Sequence, residues 1–309
     1  MSGQRNNYKF KDSMLVNDDT YYDFLHRLKR IALAMFEWHN LPKSMNAEYL
    51  EQCLYYLGRA SLLYSKKYGY INTKCTGDGR LNIYRLPVGL HCYSYDFYED
   101  KELYTGLNDT TNPEDKAILV KNNYDMYPTS IGLELYALRL YEVQRTIDTN
   151  VIAQKTPIMI MCDETQRLTM ENLYNQYNGN QPFIFGNKQS FQNKVPLEAI
   201  NTEAPIVFDK LQTYKINLMN EALTYLGINN INVEKKERLI ESESNENNEY
   251  INLNLQNALK PRQRACEMFN ELFKPEKEIY VTVNSDLDNI IKRELAGLVS
   301  YESEGEEDE

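Results

Sequence analysis

The chain has 309 residues, 42% of them hydrophobic and 26% charged, an ordinary soluble globular composition able to bury a sizeable core in one large domain or two to three smaller ones. With 34 basic against 45 acidic residues the net charge is −11, which argues against gripping nucleic acid by an overall field but suits a surface along which nucleic acid slides without sticking. No apolar run approaches the length that spans a bilayer, and the polar start (Ser2, Gln4, Asn6, Asn7) carries no signal peptide, so the chain is expected to be made and used in a cytoplasm without a membrane partner.

Residues 1–16 read as a loose, mildly basic arm with Arg5, Lys9 and Lys11. Asn17, Asp18 and Asp19 are cap candidates for a first helix with the stripe Tyr22, Leu25, Leu28, Ala32, Met35 and Phe36, closed by Asn40-Leu41-Pro42. A second helix is predicted from Asn46 to Leu57, with Leu50, Cys53, Leu54 and Leu57 inward and Gly58 as its stop. From 61 to 104, tyrosines and branched residues alternate with turn signals such as Thr76-Gly77-Asp78-Gly79, the pattern of several short strands. The 25 tyrosines suit such half-buried strands and interfaces, because the ring buries area while the hydroxyl stays wet.

Thr129-Ser130 caps a third, long helix to about Gln154 with Leu133, Tyr136, Leu140, Val143 and Ile147 on one stripe and Ile131, Leu135 and Leu138 beside it. Lys155-Thr156-Pro157 breaks it, and a strand (158–162), a short helix (169–178) and a second strand (Phe183-Ile184-Phe185) make a small αβ insert. Another long helix starts at Pro205, carries Val207, Leu211, Tyr214, Leu218, Ala222 and Tyr225, and stops at Gly227. After it comes Val233-Glu234-Lys235-Lys236-Glu237-Arg238 and then a polar tract, 241–248, with nothing apolar to bury, expected to be a mobile loop. Pro261 is expected to open a further helix with Ala265, Met268, Phe269 and Leu272, followed by a strand (279–283), a last helix to about Val299 and a disordered acidic tail, 302–309.

No catalytic signature stands out. There is no phosphate loop (Gly186-Asn187-Lys188-Gln189-Ser190 does not fit), no GxSxG and no HExxH. His26, His39 and His91 are isolated, and Asp163-Glu164 is better read as a turn than as a catalytic pair. The five cysteines are scattered without CxxC, which reads as reduced thiols, and Cys75 with His91-Cys92 falls short of a zinc set. What remains is charge: Lys210 and Lys215 on the long helix, then Lys235, Lys236 and Arg238, nearly neutralised by Glu234 and Glu237. One copy would hold phosphate poorly, but a ring of copies would turn each lysine into a belt of positive charge on a negative wall.

Several collinear segments resemble the portal, or upper-collar head–tail connector, of small short-tailed phages with protein-primed linear DNA. They are Met35-Phe36-Glu37-Trp38-His39-Asn40-Leu41-Pro42, Ala153-Gln154-Lys155-Thr156-Pro157, Tyr174-Asn175-Gln176-Tyr177-Asn178-Gly179-Asn180, Tyr225-Leu226-Gly227-Ile228 with Glu234 to Arg238, and Arg264-Ala265-Cys266-Glu267 with Asn270-Glu271-Leu272. The likeness runs along roughly 20–60 and 117–300 and is weak in 60–115 and at both ends.

The resemblance implies an α+β portal fold with long amphipathic stem helices, a small αβ clip insert and a β-containing wing. It divides the chain into an arm (1–16), a helical wing and stem entry (17–58), a β-rich wing (59–128), a stem helix (129–155), a clip (156–200), a second stem helix (201–228), a channel loop (229–250), a C-terminal wing and crown region (251–301) and a tail (302–309). It implies a non-enzymatic homo-dodecamer around double-stranded DNA, without cofactors, that meets major capsid and scaffolding proteins, a packaging ATPase and lower collar or tail proteins. Its place would be the portal vertex of the virion, after assembly in the host cytoplasm. The family's channel lysines carry over to Lys210, Lys235 and Lys236, while a further one falls on Asn201 and is absent. The channel loop would hold Asn229, Glu234, Glu237, Arg238, Glu241 and Glu243. The sparse basic arm does not carry over the packaging-RNA partner of well-studied relatives. The rival reading is a metal-dependent nucleic-acid-processing enzyme with the polar tract as its lid.

Overall fold

The structure, a computed structural model, describes residues 13–106, 112–154, 158–162, 183–187, 197–199, 207–228 and 241–295. In chain order the elements are α1 (Ser13–Leu33), β1 (Phe36–His39), α2 (Ala47–Leu57), β2 (Arg59–Ser65), β3 (Gly69–Gly77), β4 (Gly89–Ser94), β5 (Phe97–Leu103), a 3-10 turn (Pro113–Asp115), β6 (Lys116–Lys121), α3 (Thr129–Ala153), β7 (Ile158–Cys162), β8 (Phe183–Asn187), β9 (Leu197–Ala199), α4 (Phe208–Leu226), α5 (Glu241–Phe273), β10 (Tyr280–Val283) and α6 (Leu287–Glu294). The class is mixed helix and sheet, as expected. The chain divides into two units, one of residues 1–139 with 218–309 and one of residues 140–217.

In the first unit the tyrosine-rich stretch closes into a five-stranded barrel, β2 to β6, with β6 returning antiparallel to β2. Its interior is filled by Leu63, Cys75, Leu90, Cys92, Leu103 and Ala117. The Ser61 and Thr73 hydroxyls hydrogen-bond each other at 2.8 Å, so neither is left unpaired inside. Leu62, Ile118 and Val120 are also buried, because helices cover the other face of β2 and β6.

The predicted second helix forms as read. Asn46 caps it by accepting from the Tyr49 amide, and Gly58 ends it in the left-handed region at φ 70°. A side chain at Gly58 would collide with the Met126 carbonyl, so the stop is also where the loop before α3 crosses. Leu57, expected inward, is 37% exposed.

The first helix differs from its expected register. It begins at Ser13 rather than after the Asn17 cap, and the expected Leu28 and Ala32 are buried in it together with Phe24 and Ile31, while Tyr22 stands in water. The sequence holds two overlapping stripes, and packing against α2 and α6 selects between them. Phe36 leaves the helix altogether. Residues Phe36–His39 alternate inward and outward as β1 and pair antiparallel with β10, Phe36 opposite Val283 and His39 opposite Tyr280.

A second correction concerns the polar tract and Pro261. The tract is not a loop as far as 250, and Pro261 does not open a helix. One helix, α5, runs from Glu241 to Phe273 with Pro261 inside it. Its C-terminal half is anchored by Leu259, Ala265, Cys266 and Phe269 in the core. Once such a helix is nucleated, each added residue gains one hydrogen bond, so it can propagate into a polar sequence. Glu241, Glu243 and Glu246 at its start also suit the positive end of the helix dipole.

In the second unit β7, predicted as 158–162, pairs parallel with β8 and antiparallel with β9. The expected helix at 169–178 and the pair Asp163-Glu164 lie outside the described residues.

Candidate nucleic-acid interface

Of the channel residues expected from the sequence, Lys210 is described. It stands exposed in the first turn of α4, beside Asp209. Thr213, Tyr214 and Asn217 are exposed with it at helical spacing, so this stretch presents a mostly polar row. Lys215 does not join that row. It is 9% exposed, and its amine donates to Gln144 Oε1 on α3 at 3.0 Å. Gln144 in turn donates to Asp148, which Arg145 also holds at 3.0 Å. Burial pushes the Lys215 amine below its ordinary pKa, partly opposed by the charge of Asp148. The two lysines that looked equivalent in sequence are therefore one surface cation and one internal helix–helix tie.

Asn229, Glu234, Lys235, Lys236, Glu237 and Arg238 lie outside the described residues. The backbone of Glu241 and Glu243 lies in the first turn of α5. The two ends of this segment are well defined. Gly227 terminates α4 at φ 80°, with the Ile228 amide donating to the Leu223 carbonyl. A Cβ on Gly227 would strike the backbone of Leu255, so α4 and α5 touch there. Asn254 Nδ2 donates to the Thr224 carbonyl at 2.9 Å and closes the same junction. The 14 residues from Glu241 to Asn254 extend α5 by about 21 Å before that contact. The expected channel loop is thus replaced, over 241–250, by a helical arm that returns to the end of α4.

The pair that ties α5 to α2 was not foreseen from the sequence. Arg262 and Glu51, 2% and 5% exposed, form a two-pronged ion pair, with Nε to Oε1 at 3.0 Å and Nη2 to Oε2 at 2.9 Å. Arg262 also donates to the Asn122 carbonyl, Asn122 Oδ1 and the Ala258 carbonyl, which uses all five of its N–H groups. Trp38 Nε1 donates to the same Glu51 carboxylate at 2.8 Å, and the Arg262 guanidinium lies over the Phe36 ring at 4.3 Å. One available signal was an acid, Glu51, between Leu50 and Cys53 on the inward face of α2. A charge there must be paired or it would not be buried.

Among the described residues there is no group of three or more His, Cys, Asp or Glu that could hold a metal ion. His91 is engaged with Asp100 at 2.6 Å, and Cys75 and Cys92 are directly opposed inside the barrel. His26 is exposed. No described helix is long and apolar enough to cross a membrane.

Among solved structures, a chain in the portal and tail of native bacteriophage P68 is similar at a TM-score of 0.48 and 15% identity, over 92% of this chain and 97% of that one. A family model described as Phage Connector (GP10) matches residues 9–287, most of the length. The expectation drawn from the scattered motifs at 35–42, 225–238 and 264–272 agrees with that match. The chain belongs to the phage connector family.

Proposed function

We propose that twelve copies of this chain close into the portal ring of a phage head, with double-stranded DNA passing through the middle during packaging and ejection. The carrying observation is the family match over residues 9–287. In this reading 129–155 and 201–228 are the stem, 156–200 the clip, and 59–128 and 251–301 the wing and crown. Lys210 faces DNA from α4, with Lys235 and Lys236 supplied by the segment between α4 and α5. Major capsid, scaffolding, packaging-ATPase and tail proteins dock outside, and the particle assembles in the host cytoplasm.

Two surface properties support this reading. A net charge of −11 repels phosphate on average, so a few exposed lysines would touch DNA briefly rather than trap it. Ile131, Leu135 and Leu138 form a row on α3 at 46–50% exposure, an apolar stripe suited to a neighbouring copy.

Electron microscopy with native mass measurement of the purified chain tests the proposal. The expected result is a ring of about twelve times 36.3 kDa with an opening that admits a B-form duplex. A chain that stays monomeric even with its scaffold present would sink it.

A further inference from the structure

Cys75 on β3 and Cys92 on β4 are directly opposed across an antiparallel pair, and both fill the barrel interior, at 1% and 0% exposure. Residues so opposed have Cα atoms about 4.5–5.5 Å apart, inside the range of about 4.4–6.8 Å that a disulfide spans. The side chains leave the same face, and the Ser61 hydroxyl interacts with both thiols. Cys53 on α2 and Cys266 on α5 are held in no such register.

Buried cysteines are ordinarily small apolar filling, and enclosed thiols react slowly. Two features separate this pair from that reading. The first is the register itself, which brings two sulfurs to one another rather than to apolar neighbours alone. The second is a way in. β5 and β6 pair only through Glu102 with Lys116 and Leu103 with Ala117, the shortest seam of the barrel. Leu103 and Ala117 belong to the same interior cluster as the cysteines. Opening that seam bares the interior to small solutes without breaking the β3–β4 pairing that holds the thiols together.

We propose that Cys75 and Cys92 form a modification site for low-molecular-weight disulfides such as oxidised glutathione, and close into a disulfide that staples β3 to β4. One cysteine thiolate attacks the S–S bond of the oxidant, forms a mixed disulfide and expels one thiolate. The facing cysteine thiolate attacks that mixed disulfide, forms the Cys75–Cys92 bond and expels the second. Each expelled thiolate takes up a proton that a cysteine gave up, so two cysteines are oxidised and one small disulfide is reduced to two thiols. The closed loop encloses the hairpin that the Asp78 amide and Gly89 carbonyl begin. A reducing cytoplasm keeps the pair as thiols, and a particle released from its host meets conditions that close it. That setting rests on the portal reading, whereas the pairing does not.

The test holds the full-length protein, reduced and freed of reductant, in native buffers of graded oxidised-to-reduced glutathione ratio. Acid quenching, alkylation in denaturant and peptide mass spectrometry then read the cysteines. The expected result is a linked Cys75–Cys92 peptide while Cys53 and Cys266 stay free. Linkage should speed up at least tenfold in urea below the unfolding midpoint, because opening limits access. The linked protein should melt several degrees higher, and a phosphine reductant should return the lower midpoint. Cys92→Ala should show no gain under the same oxidant. Free Cys75 and Cys92 at the highest ratio, in the native protein and after refolding in the same buffer, overturn the proposal. So does a lasting glutathione cap on either one in the wild type, or a link from Cys75 to Cys53, since the facing sulfurs would then not meet. A midpoint that ignores linkage would remove the staple. Rings that assemble whether or not the link forms leave the portal reading standing on its own.

Discussion

Glu51 and Arg262 are 211 positions apart in the chain and meet head-on at 2.9 Å, almost out of water. The pair joins α2 to α5, with Trp38, Phe36 and Asn122 completing its surroundings. Breaking one side of such a pair strands a charge, at a cost of about 3–5 kcal/mol. Arg262→Met should therefore lower the denaturant midpoint strongly with little change in m-value. Glu51→Gln/Arg262→Met should recover much of the loss, because no unpaired charge remains. Equilibrium unfolding of the single and double variants tests both.

Lys215 supplies a pH signature. Its folded pKa is depressed, so the charged amine costs stability wherever it is protonated in both states. That cost is full below the folded pKa and disappears as pH rises toward the ordinary lysine value. The stability difference between wild type and Lys215→Met should therefore shrink over that alkaline window, with the variant the more stable below it. Hydrogen exchange in α3 and α4 at graded pH measures the difference. A difference that stays flat would remove the burial argument.

The thiols of Cys53, Cys75, Cys92 and Cys266 are buried. Burial raises all four, Cys75 and Cys266 to about 12 and Cys92 to about 11, so little thiolate exists at neutral pH. Alkylation of the native protein should leave these four unmodified in peptide mass spectra. Denaturant should then open them together if the core unfolds cooperatively.

The junction of Gly227 with Leu255 sets where a deletion of the proposed channel segment can be closed. Joining Ile228 directly to Leu253 removes 229–252 at a point where the two helices already touch. Deleting only 229–240 would ask one bond to span about 21 Å. The longer deletion should leave rings and assembled heads in electron micrographs, while packaged DNA leaks when measured by nuclease protection. Failure to form rings would instead make the segment part of the assembly interface.

Local rules were enough for much of the fold. Asn46 and Gly58 bracket α2 because a side-chain cap and a left-handed stop act within a few residues. The strands within 61–104 follow from alternation and turns, whereas β6, which closes the barrel, lies beyond that stretch. The errors fall where distant chain decides. Phe36 extends a helical stripe until Val283 offers it a strand partner. Pro261 looks like a helix start until the buried residues on both sides of it hold one continuous helix. Lys210 and Lys215 differ only because Gln144 stands beside one of them. The Glu51–Arg262 pair left even less trace, since neither residue identifies its partner from sequence.

The interruption of the first unit by residues 140–217 bears on synthesis. At 5–20 residues per second the ribosome needs about 10–45 s more, after α2 is made, before Arg262 and Val283 exist. Until then Glu51 lacks its counter-charge and β1 has no partner strand. A nascent or truncated copy cannot finish the body of the protein, so only completed chains can offer a subunit with all its faces formed. The same arrangement lets the interrupting segment change in length between relatives without altering the order in which the body is completed.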